Sequence, residues 1–97
     1  MANVTVDYLV VAGGGGSGHS DSSGNTSGGG GAGGYQELTS QLLKTSVPYT
    51  LTVGDGGAGS ISASTNGTNG DDSFFAYTTS FGGGGGASSQ NLNVGGS

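Results

Sequence analysis

The chain has no cysteine, a single proline and a single basic side chain, Lys44. Without cysteine there is no disulfide and no thiolate metal site, and the redox compartment is left open. Six acids stand against the lysine: Asp7, Asp21, Glu37, Asp55, Asp71 and Asp72. Nucleic-acid binding needs several cationic contacts to phosphate, and one lysine cannot supply them. The same shortage excludes attraction to an anionic membrane surface. The longest apolar run, Tyr8–Ala12, is far short of the roughly 20 residues a spanning helix needs, so no membrane insertion is expected. Met1–Thr5 shows neither a basic start nor a cleavable apolar stretch, so no signal peptide is expected. Only 30% of the residues are apolar, so any side-chain core must be thin.

Glycine fills that gap: 25 of 97 residues, most of them in four blocks. These are Gly13–Gly18 (GGGGSG), Gly28–Gly34 (GGGGAGG), Gly54–Gly59 (GDGGAG) and Gly82–Gly86. Strand-like runs lie between or beside them. Asn3–Ala12 alternates and then turns apolar on both faces, which predicts a strand that becomes buried on both sides. Tyr35–Leu43 reads as strand, Tyr49–Val53 alternates cleanly, Ser60–Ala63 suggests a short strand, and Ser73–Phe81 is an aromatic strand. Ser17–Ser27 reads as an exposed loop, Ser46–Pro48 as a turn, and Asn66–Asp72 as hairpin-turn chemistry. A flexible linker would not contain VDYLVVA or SFFAY.

Gly13, Gly15 and Gly18 satisfy the dinucleotide fingerprint after a strand, with Glu37 about 20 residues on. The polar loop that follows cannot form the helix whose N-terminus would hold a pyrophosphate, so this match is set aside. A Walker loop fails because Lys44 has no glycine nearby. Collagen requires glycine at every third position with abundant proline, and here the glycines are contiguous. The remaining ordered form is polyglycine II, an extended threefold helix without internal hydrogen bonds. Its N–H and C=O groups point outward and must find partners laterally. Gly13, Gly14, Gly15, Gly16, Gly28, Gly29, Gly30, Gly31, Gly82, Gly83, Gly84, Gly85 and Gly86 are therefore expected to be structural. The fold expected is all-β: a small sandwich of short β-strands with packed polyglycine II helices and little or no α-helix. It is expected to occupy 1–97 as one domain, with a core from about 4 to 87 and 88–97 as a tail or the start of a further element.

The series VDYLVVAGGGGSG, GGGGAGGYQE, YTLTVGDGGAGS and NGDDSFFAYTTSFGGGGG resembles the glycine-rich domain of bacteriophage tail-fibre and adhesin proteins. That family opens on YLVVAGGGGGG, returns through GGGGAGGY, and carries a YTVTVGAGGAG strand. The likeness runs from about Val4 to Ala87, and the order of four elements carries it. A more distant likeness is the glycine-rich region of anaplastic-lymphoma-kinase-type receptors, whose cysteines are absent here. The phage resemblance implies a non-enzymatic virion structural protein, located on the particle or otherwise extracellular. It implies self-association as a homotrimer or higher assembly, contact with other virion proteins, and attachment to a host cell-surface glycan or protein. Host- or partner-contact candidates are the polar loops, with His19, Ser20, Asp21, Asn25, Asn66 and Asn69. The alternative is a capsid decoration or head-fibre protein, or a self-assembling extracellular filament subunit. No catalytic constellation and no cofactor are expected, since a lone loop histidine among serines is ordinarily solvated. GTNGDDSFF approaches one calcium-binding nonapeptide, which makes Asp71 and Asp72 weak calcium candidates. The aromatic residues are expected in the core or in subunit contacts, with a sugar-stacking platform as the other use.

Overall fold

The computed structural model describes residues 2–20 and 26–89. It is all-β, without α-helix among those residues. Five strands occur in order: β1 (Asn3–Val11), β2 (Tyr35–Lys44), β3 (Leu51–Thr52), β4 (Ser73–Phe75) and β5 (Thr78–Ser80). β1 and β2 form an antiparallel ribbon, and β3–β4–β5 form a second antiparallel sheet. Each strand adjoins one glycine-rich segment. β1 runs into a first segment (12–18) and a second (28–34) runs into β2. β3 leads to a third (54–60), a fourth (66–72) leads to β4, and β5 leads to a fifth (81–88).

The segments bond to one another at every third residue. Ala12, Gly15 and Gly18 donate to the carbonyls of Gly34, Gly31 and Gly28 at 2.8–2.9 Å. Gly28, Gly31 and Gly34 donate in turn to Ala87, Gly84 and Phe81 at 2.7–2.8 Å. A β-ladder repeats every second residue, so a step of three is the signature of the polyglycine II helix. The first segment is central. It donates to the second and to the fourth (Gly13 to Asp71, Gly16 to Thr68). It accepts from the third (Gly57 to Gly14, Ser60 to Ser17) and from the fifth (Gly83 to Gly13, Gly86 to Gly16). The second and third segments do not bond to each other, whereas the fifth and fourth do, through Gly67 to Gly86 and Gly70 to Gly83. The arrangement is two-layered, with second–first–third over fifth–fourth.

Glycine is required here for closeness and not for a left-handed φ, as at Gly13, Gly15, Gly16 and Gly30. At fourteen of them a Cβ would stand within 2.2 Å of a carbonyl oxygen on a neighbouring segment. The α-hydrogens therefore point at carbonyls, as in Cα–H···O contacts worth about 0.5–1 kcal/mol each. Such contacts occur at Gly13, Gly15, Gly16, Gly30, Gly82, Gly83, Gly85 and Gly86. At Gly14 the nearest atom to a Cβ is 3.5 Å away, and at Gly29 nothing lies within 4 Å.

Several expectations are corrected. Residues 66–72 are not a hairpin turn: they form the fourth lattice segment, in which Gly67, Thr68, Gly70 and Asp71 N–H bond neighbouring segments and Asn69 Oδ1 accepts Gly85 N–H. Ser73–Phe81 is not one strand but a hairpin, turning at Ala76 (φ 55°). Ser60–Ala63 is not a strand, since Ser60 ends the third segment and Thr65 N–H closes a turn on Ser62 O at 3.2 Å. The end of β1 is buried on one face only, with Leu9 52% and Val11 48% exposed.

The side-chain core is small: Val10, Ala12, Leu43 and Ala76. Tyr8 joins the two sheets, edge-on to Phe75 with centroids 4.9 Å apart, its hydroxyl 2.8 Å from Thr78 Oγ1. Buried Ser80 donates its Oγ–H to Val10 O at 2.7 Å. Between Val6 and Tyr8 the register shifts, so Asp7 faces two residues of β2. Ser40 takes φ 54° there, and the Asp7 carboxylate accepts its N–H at 2.8 Å. The extra residue keeps Gln36, Leu38, Gln41 and Leu43 on the inner face of β2.

At the far end Tyr49 accepts the Lys44 N–H at 2.9 Å and meets Tyr77 edge-on, with centroids 5.9 Å apart. Hydrogen bonding to Tyr49, then the charge of Tyr49, raises the Tyr77 hydroxyl above its ordinary value. The stabilisation this carries is present below about pH 10 and fades as pH rises through the raised value. Tyr49→Phe should return Tyr77 to ordinary titration, read from tyrosinate absorbance. For the lattice, Gly16→Ala drives a methyl group to 2.0 Å from Ala58 O. It should cost more than about 4 kcal/mol, the extreme of single substitutions, and abolish the cooperative melt followed by circular dichroism. Gly29→Ala should stay within about 1 kcal/mol of the parent.

Candidate functional site at the lattice tip

The chain measures 64 × 19 × 15 Å. Strand ends and lattice ends are segregated along its length by the order of the elements. The first and second segments are joined through 19–27 and the third and fourth through 61–65, and the fifth ends at 88, so residues 18, 28, 60, 66 and 88 all stand at the lattice end away from the strands. One serine ties them together. Ser88 is fully buried, its Oγ accepts His19 N–H at 2.9 Å, and it donates to Thr65 O. Ser89 N–H returns to His19 O at 3.0 Å, and Ser20 Oγ–H donates to Ser27 Oγ at 3.1 Å. His19 and Ser20 are exposed, as is Ile61, at 94%. Asp21 and Asn25 lie outside the described residues.

Asn66 and Asn69 bond inward. With Asp72 they form an acceptor row at three-residue spacing. Asp72 Oδ1 takes Gly82 N–H at 2.8 Å, Asn69 Oδ1 takes Gly85 N–H at 2.8 Å, and Asn66 Oδ1 takes Ser88 N–H at 3.1 Å. These are donors of the fifth segment that no backbone carbonyl reaches. The signal was present in N-x-x-N-x-x-D over 66–72, the same step of three, but it is hidden when the stretch is read as a turn. Asp71 takes part through its backbone, its N–H bonding Asp55 O at 2.9 Å. Among the described residues no group of three or more His, Cys, Asp and Glu is placed to hold a metal ion.

A pocket of about 290 Å³ opens at the strand end, lined by Tyr8, Leu9, Val11, Leu51, Val53 and Phe75 among others. It is apolar and carries no ionisable group suited to acid–base work. The aromatics divide: Tyr8 and Phe75 pack inward, whereas Tyr35 (63%), Phe81 (69%) and Tyr77 (80%) are exposed. Ser88→Ala leaves the His19 N–H and Thr65 C=O without their shared partner. It should cost about 1–3 kcal/mol, the penalty of buried unmatched groups. Hydrogen exchange should quicken at the His19 amide and stay unchanged in β1 and β2.

No curated protein and no solved structure matches this sequence. The profile of the family described as Glycine-rich domain matches residues 2–97. The lattice segments lie within the matched residues, and the chain belongs to the glycine-rich domain family.

Proposed function

We propose that this chain is a non-enzymatic structural domain of a bacteriophage virion, of the tail-fibre or adhesin type. In this role it holds polar loops at one end of a stiff support for attachment to the host surface. The observation that carries the reading is the tip. Three polar stretches distant in sequence leave the lattice together and are pinned by Ser88, while the strands lie at the other end. The resemblance of the four ordered motifs to phage adhesin domains supplies the setting. Stiffness follows from the cross-bonding of five extended segments, which gives loops a fixed base.

Deleting 20–26 while keeping Ser88 and His19 tests the reading. Adsorption of particles to host cells should be lost while particle yield and thermal stability stay unchanged. Intact adsorption with loss of particle stability would instead assign the chain to capsid decoration or filament building. That second reading draws on the apolar side chains exposed along β1, β2 and β3.

A further inference from the structure

The lattice is unfinished on one side. Around the first segment the N–H groups of 12, 15 and 18 bond the second segment and those of 13 and 16 bond the fourth. The third set, Gly14 and Ser17, has no partner among the described residues. The carbonyls of 13 and 16 accept from the fifth segment and those of 14 and 17 from the third, which leaves Ala12, Gly15 and Gly18 O without an N–H donor among the described residues, the first two lying against the α-carbons of Gly33 and Gly30. A threefold helix sends these sets in different directions. Four neighbours are filled and two are vacant, one facing donors and one facing acceptors. The flanking segments contribute the opposite groups: Gly30 and Gly33 N–H from the second, Gly54 and Gly57 O from the third, again without partners. On the layer below, one such set of the fifth segment, Gly82, Gly85 and Ser88 N–H, is closed by Asp72, Asn69 and Asn66, while Gly84 and Ala87 N–H have no partner among the described residues.

The glycines add an independent observation. Those that the chain's own packing does not demand include Gly14, Gly29 and Gly56, where a Cβ would meet nothing nearer than 3.5 Å. All three belong to the second–first–third layer. Glycine costs about 0.5–1 kcal/mol relative to alanine in ordered backbone, so bare positions without an internal need call for an external one. The same outer side continues onto the β ribbon, where Leu9, Val11 and Tyr35 are 48–63% exposed.

We propose that the outer face of the second–first–third layer is a self-association surface, on which a second copy of this chain lays its own glycine segments into the two vacant rows. The occupant is a second copy because the face is self-complementary: it offers both donor and acceptor rows at one spacing, and only a chain with bare, threefold segments can match them closely. Area supports this too. A long face of a body 64 Å by 19 Å offers on the order of 1,000 Å², against the roughly 800 Å² per partner of a stable interface. The inference deepens the scaffold reading, and it is read in solution without host or particle, so its failure is distinct from a failure of host attachment.

The test is sedimentation velocity of the full 97-residue chain across dilution. The parent should associate. The double variant Gly14→Ala/Gly56→Ala should keep its melting temperature, because neither methyl group clashes internally, yet dissociate at least tenfold more readily. Tyr77→Ser, outside the face, should associate like the parent. A parent that stays monomeric, or association that survives the glycine pair and is lost with Tyr77→Ser, overturns the proposal. Should the double variant unfold, amide exchange of the parent decides: Gly14 and Ser17 amides must gain protection as concentration rises, and equal exchange at all concentrations overturns it.

Discussion

Everything in this fold depends on how near one main chain can come to another. A buried peptide group must be hydrogen-bonded, and a threefold extended helix bonds nothing within itself. Its groups are satisfied only by neighbours on several sides, at a separation that leaves no room for a Cβ. The carbonyl oxygens that stand near 2 Å from the would-be Cβ of Gly15, Gly16 or Gly30 mark that limit. Here the hydrophobic core is secondary, confined to a few residues where the two sheets meet.

Strand and lattice are therefore one continuous device with two periods. Along β1 side chains alternate and a sheet forms. From Ala12 onward side chains vanish and the bonding step lengthens to three. The transition needs no turn, because both conformations are extended and differ modestly in φ and ψ. Where backbone carbonyls do not reach Gly82, Gly85 and Ser88 N–H, the side chains of Asp72, Asn69 and Asn66 do.

Much of this was legible in the sequence. The four glycine blocks beside apolar runs announced the lattice, and β1 and β2 fall close to where alternation places them. Residues 66–72 were misread, because Asn and Gly serve both turns and extended helices, and only tertiary partners choose between them. The hairpin at Ala76 was hidden by continuous β-propensity from Ser73 to Phe81. The tip was half visible: polar stretches marked the loops, but nothing local in Ser88 tells that its hydroxyl joins His19 to Thr65. The lattice role of Asn69 lay in a spacing of three that becomes meaningful only once the threefold helix is known.

The central segment, 12–18, comes early in this domain, yet one of its neighbours, the fifth, 81–88, is made far later. Gly13 must wait for Gly83, and Gly16 for Gly86. Contacts so remote in sequence carry the loop-closure entropy that slows assembly. During synthesis the innermost rod stands bare until residues 81–88 have been made, so the onset of rigidity waits for the most distant of its lattice partners.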